Sequence, residues 1–220
     1  MPDTPLPSSL RATLHTLRPV APLTSPGRRA AVFPLVSLTL LLIVPAVWGW
    51  GYYAAPAGWI LAAGWMVLTL TAVLLFAAAI TESMPGRLMS PARLWSLAAV
   101  AVAVIASSSI VFFAMFPQAV APPHAARVLR VCLTRAYALG LLPLALCGVL
   151  LARGLMARPL IAGAFAGLGA GLVVESSWRL YCSVTDPSHT IGGHIGAMAL
   201  LTLTGSLGAS ALQFYRRRRQ

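Results

Sequence analysis

Residues 159–181 read PLIAGAFAGLGAGLVVESSWRLY, and this stretch decides the fold class. A hydrocarbon core of roughly 30 Å takes about 20 helical residues to cross. The run is long enough, and Glu175 and Arg179 near its end are its only charges. Gly163, Gly167 and Gly171 recur at four-residue intervals, with Ala162, Ala166 and Ala170 in register on a neighbouring stripe. In lipid, where apolar side chains gain little by leaving the solvent, such a small-residue face lets another backbone approach and gain dispersion contact.

Working outward, apolar runs of the same kind occupy 31–50, 57–80, 94–116, 131–151 and 191–212. With 59% apolar and 9% charged residues, the composition is far from that of a soluble globular domain. The reading is an all-α polytopic membrane protein with six transmembrane helices. Gly205 and Ala209 form a weaker small-residue match in the sixth run, so the fifth and sixth helices are expected to pack closely. The short connections 51–56 and 152–158 predict antiparallel neighbours. The longer stretch 117–130, with Pro122, Pro123 and His124, reads as an extended or turned connector.

Three regions follow: an N-terminal segment over 1–30, the membrane domain over 31–212 and an arginine-rich tail over 213–220. The prolines ahead of Arg29 and the lack of an apolar core there argue against a cleaved signal peptide. All 16 basic residues are arginine. Arg11, Arg18, Arg28, Arg29, Arg87, Arg93, Arg153, Arg158 and Arg216 to Arg219 fall on one side of a six-span layout, against Arg127, Arg130, Arg135 and Arg179 on the other. The positive-inside rule then puts both termini in the cytoplasm. The formal charge of +12 therefore reads as topology and lipid-headgroup contact, without direct nucleic-acid binding.

Cys132 opens the fourth apolar run and Cys182 follows the fifth, so adjacent helices bring both thiols to the outer face. An oxidising compartment permits a disulfide there, and a nearby arginine favours the thiolate. The pair reads as a switch first and a static staple second. A ring of this size is worth about 4 kcal/mol by loop closure, less where inserted helices already restrict the unfolded chain. Glu175 and Arg179 share a helix face, and Glu175 is expected to bridge Arg179 and Arg135 beneath the cysteines. Cys132 and Cys182 are also candidate ligands for a soft metal. His124, His189 and His194 lie on the same side and could add imidazole ligands, but their spacing fits no zinc motif, and the favoured reading of each is an ordinary loop residue. Cys147, further along the fourth run, reads as a core residue.

No C-x-x-C, H-E-x-x-H, G-x-S-x-G or phosphate-binding glycine loop occurs, and Asp3, Glu82, Glu175 and Asp186 are the only acids. An enzyme is not expected. In the N-terminal segment, Leu10, Leu14 and Leu17 fall at helical spacing opposite Arg11 and Arg18. Two readings stand: an anchor lying on the membrane, and a helix that docks in a partner's groove.

Leu17-Arg18-Pro19-Val20, just ahead of the first span, resembles the L-x-P-V segment of the NrsF-type (negative regulator of sigma-F) membrane anti-sigma factors, whose six-helix layout also matches. The stretch ARPLIAGAFAGLGAG over 157–171 and the following RLYCSVTDPSHTIGGH are similar to that family's fifth helix and its cysteine-bearing outer end. Cys132 matches the other family cysteine. One departure is visible: family members usually carry His before the second cysteine and an acidic pair after it, whereas Tyr181 precedes Cys182 here and Asp186 is the nearest acid.

The resemblance implies a bacterial inner-membrane protein that holds an extracytoplasmic-function sigma factor inactive and releases it when heavy metal or oxidant reaches the two cysteines. Leu10, Leu14, Leu17, Arg18, Pro19 and Val20 are then the candidate sigma contact. No cofactor is implied, a heavy-metal ion entering only as signal. The competing readings are a small membrane transporter and an accessory subunit of a membrane complex.

Overall fold

The computed structural model describes residues 24–49, 58–84, 86–116, 122–154, 156–182 and 184–218. The residues of the candidate sigma contact, Leu10 to Val20, lie outside them. Among the described residues there is no strand, and six helices are long and apolar enough to cross a membrane: α1 (Pro26–Trp48), α2 (Gly58–Glu82), α3 (Pro91–Met115), α4 (Pro122–Leu151), α5 (Pro159–Tyr181) and α6 (Pro187–Arg218).

Helix α5 is the axis of the bundle. Within its most apolar window 78% of residues are buried, against 11–33% in the other five helices, and it packs on α6, α2, α4 and α1. Its small residues are the cause. A Cβ built on Gly163 would sit 2.1 Å from the Gly205 carbonyl oxygen, and one on Gly167 would sit 2.2 Å from that of Leu201. Both partners belong to the backbone of α6, so the expected α5–α6 contact is made at the closest approach two helices allow. On another side, Gly169 faces Ala72 and Phe76 of α2. Glycine and alanine thus leave room for a neighbour on more than one side of α5.

Elsewhere the sequence explains local departures from regular helix. Pro34 has no N–H to offer the carbonyl of Ala30, and α1 breaks into Pro26–Ala30 and Phe33–Trp48 at that place. Phe33 stacks on Phe76 of α2 with ring centroids 3.5 Å apart. Helix α4 begins at Pro122, inside the stretch 117–130 expected to be an extended or turned connector, because a helix tolerates proline in its first turn. Helix α1 likewise starts at Pro26, with the Ser25 hydroxyl accepting from the Arg28 N–H, and α6 continues through Arg218 instead of ending near 212.

The two ends of the bundle differ in chemistry. At one end guanidinium groups cap helix termini: Arg29 donates to the Leu150 carbonyl, and Arg216 donates to those of Ala152 and Gly154. Buried Glu82 accepts from the Met89 N–H at 2.7 Å and pairs with Arg158 at 3.5 Å. Deep between the ends, the Ser37 hydroxyl lies 2.8 Å from Thr69 and 3.1 Å from Ser176, tying α1, α2 and α5 together. The opposite end carries both Cys132 and Cys182.

Candidate metal centre

Cys132 lies in the third turn of α4, and Cys182 caps the C-terminus of α5, donating its N–H to the Trp178 carbonyl at 2.8 Å. Their sulfurs are 3.5 Å apart, both residues are buried, and no disulfide joins them. The chain then turns back at Asp186, whose carboxylate accepts the His189 N–H at 3.2 Å and the Ser188 hydroxyl. These two bonds, the hydroxyl first, hold the Asp186 carboxyl below its ordinary range. With Pro187 in the first helical position, Asp186 is a strong N-cap, and it sets His189 in the first turn of α6. The His189 ring follows with Nε2 3.3 Å from the Cys182 sulfur.

Helix α6 is not regular at this point. Residues Thr190–Ile195 form a π-helical turn before α-helix resumes at Gly196. In an α-helix, His189 and His194 would point roughly 140° apart. A π turn, closing i→i+5, brings that spacing onto one face. The two imidazole rings accordingly lie 5.3 Å apart, centroid to centroid. Glycine makes the approach possible: a Cβ on Gly192 would lie 2.8 Å from Leu129 of α4, and Gly193 packs beside the Cys132 Cβ.

Cys132, Cys182, His189 and His194 thus converge, all buried, with one ligand atom from each lying within 4.8 Å of the others. From spacing alone the histidines are more readily ordinary loop residues than ligands. That is corrected for His189 and His194, while His124 is exposed on the first turn of α4, outside the cluster. Both imidazoles of the cluster come from the first turns of α6, the helix that follows Cys182. Two signals pointed that way: the Asp-Pro-Ser-His cap and the Gly-Gly pair before His194.

Around the cluster runs a polar shell. His194 Nδ1 is 2.8 Å from Glu175 Oε2, and Glu175 Oε1 accepts from Arg179 Nε. Arg179 continues to the Ser109 hydroxyl at 2.8 Å and lies over the Phe112 ring at 4.8 Å, so α3 joins the site. The Glu175–Arg179 pair is therefore as expected, but its extension to Arg135 is not made. Arg135 donates to the Tyr181 hydroxyl at 3.3 Å and covers the Trp48 ring at 5.4 Å. Six residues separate Glu175 from Tyr181, roughly 120° around the helix, so the arginine of α4 meets the tyrosine's side. Cys147 is buried and lies outside the cluster.

The remaining imidazole nitrogen of His194, Nε2, is buried and has no hydrogen-bond partner. Two sulfurs and two imidazoles form a soft-to-borderline donor set, suited to thiol redox chemistry or to an ion that prefers sulfur and nitrogen. No protein-family model, curated protein or solved structure matches the chain.

Proposed function

We propose that this chain is a bacterial inner-membrane anti-sigma factor that reads heavy metal or oxidant at Cys132 and Cys182 on the outer face and releases a sigma factor on the cytoplasmic face. One observation carries the reading: thiols from two different helices meet at one end of the bundle, while the arginine-rich inter-helix loops and the final turns of α6 gather at the other. The resemblance of 17–20 and 157–171 to NrsF-type proteins supports the sigma-factor half.

The physical route is short. A metal ion or a sulfur–sulfur bond changes the distance between Cys132 and Cys182, and hence the fit of α4 against α5. Helix α5 is buried along most of its length and touches α1, α2, α4 and α6, so it cannot shift alone. Because packed interfaces switch between discrete arrangements, a small displacement at one end is felt at the other. The demand is modest: a hundredfold loss of sigma affinity is about 2.7 kcal/mol.

The test is co-purification from solubilised membranes, with and without residues 1–29, joined to reporter transcription in Cys132→Ser and Cys182→Ser strains. A sigma factor should accompany the intact chain and be lost on truncation, and either serine variant should blunt induction by cadmium or peroxide. Recovery of no sigma factor with the intact chain, or unchanged induction in both variants, would overturn the reading.

A further inference from the structure

We infer that Cys132, Cys182, His189 and His194 form a resident tetrahedral site for a d10 divalent ion of the zinc–cadmium class. The inference deepens the sensor reading of the same site by naming its ligand set, but it stands on geometry that does not involve the sigma factor.

Distance is the first argument. Metal–sulfur bonds of about 2.3 Å and metal–nitrogen bonds of about 2.0–2.1 Å put tetrahedral ligand atoms about 3.3–3.8 Å apart. The sulfurs lie 3.5 Å apart, Cys182 and His189 Nε2 lie 3.3 Å apart, and all four ligand atoms lie within 4.8 Å of one another. The two shortest separations already fit, and side-chain adjustments of about an ångström across the widest pair close the set around one ion.

The second argument is the histidine that faces the site. His194 gives Nδ1 to Glu175, which leaves Nε2 as the free atom, and that atom is buried without a partner. A buried, unsatisfied imidazole nitrogen is costly. Coordination satisfies it, and the carboxylate behind the ring fixes the tautomer with its lone pair on Nε2, as carboxylate–histidine–metal arrangements do.

Charge gives the third. Glu175 and Arg179 neutralise each other. Two thiolates and a divalent ion also sum to zero, with both imidazoles neutral. The loaded site therefore carries no net charge at the end of a membrane bundle, where an uncompensated charge is expensive. The π turn of α6 serves the same site, since it aligns His189 with His194.

Metal analysis and cobalt(II) substitution on the full-length protein, purified reduced in detergent, test the site. One zinc per chain is expected, and cobalt should give thiolate-to-cobalt charge transfer together with the intense visible bands of a tetrahedral ion. Cys132→Ser, Cys182→Ser and His194→Ala should each weaken binding at least about tenfold, and Cys147→Ser should not. Because ligand removal can unfold a small bundle, His189→Cys supplies a test that keeps four ligands: charge transfer should rise by roughly half as three thiolates replace two. No ion retained in the presence of excess zinc, a cobalt spectrum without charge transfer, or a spectrum unchanged by His189→Cys would overturn the site. Cysteine-dependent sigma release without any bound ion sinks the metal site and leaves the thiol sensor. A bound ion whose removal leaves sigma binding unchanged keeps the site and sinks metal sensing.

Discussion

At the scale of single residues, Glu175 shows what a buried charge demands. It is 3% exposed, and its two oxygens are divided between Arg179 and His194. Removing one partner of such a pair typically costs about 3–5 kcal/mol, because the other charge stays buried alone. Arg179→Met should therefore lower the midpoint of thermal unfolding in detergent markedly, and adding Glu175→Gln should recover part of the loss. Additive losses in that double-mutant cycle would show that the two residues do not act as a pair. The Glu175–Arg179 contact was legible in the sequence, because residues four apart share a helix face. The Arg135 contact was not: which side of α5 meets α4 depends on how the two helices rotate against each other, and pairing by a short loop leaves that rotation open.

At the scale of elements, the small residues of α5 and the π turn of α6 have different legibility. The four-residue glycine spacing announced a close helix contact, and the structure makes it with α6, where Gly163 and Gly205 face each other. Gly167→Val should separate the helices, since even its Cβ would lie 2.2 Å from the Leu201 carbonyl oxygen and no side-chain rotation relieves a backbone clash. The expected cost is about 1–3 kcal/mol or more, with loss of the cobalt spectrum, because Cys182 and His194 reach the site from the two separated helices. Gly208→Ala, where an added Cβ meets nothing within 4 Å, should leave stability level or slightly raised. Equal thermal midpoints for the two variants would contradict this packing. The π turn carried no such periodic signal. A five-residue histidine spacing looks unaligned on an α-helix, and only the tertiary contact of Gly192 and Gly193 with α4 makes the wider turn worth its poorer hydrogen bonding.

At the scale of the whole molecule, six spans bring α1 to begin and α6 to finish at the same end, as the Arg29–Leu150 and Arg216–Gly154 bonds record. The arginine count predicts that this end is cytoplasmic. A fluorescent protein fused after Gln220 should therefore mature and fluoresce, while alkaline phosphatase at the same point should be inactive; the reverse pattern would invert the assignment. By itself the sequence determined the membrane class, the number of spans, the tight α5–α6 face and the placing of both thiols at one end. These follow from local composition, since hydrocarbon thickness sets helix length and small residues set approach distance. Only the tertiary structure decided that α5 is the buried axis, that Arg135 belongs to Tyr181, and that His189 and His194 join the cysteines. Those depend on helix rotation and on a local change of helical pitch, and both are set by packing between segments far apart in the chain.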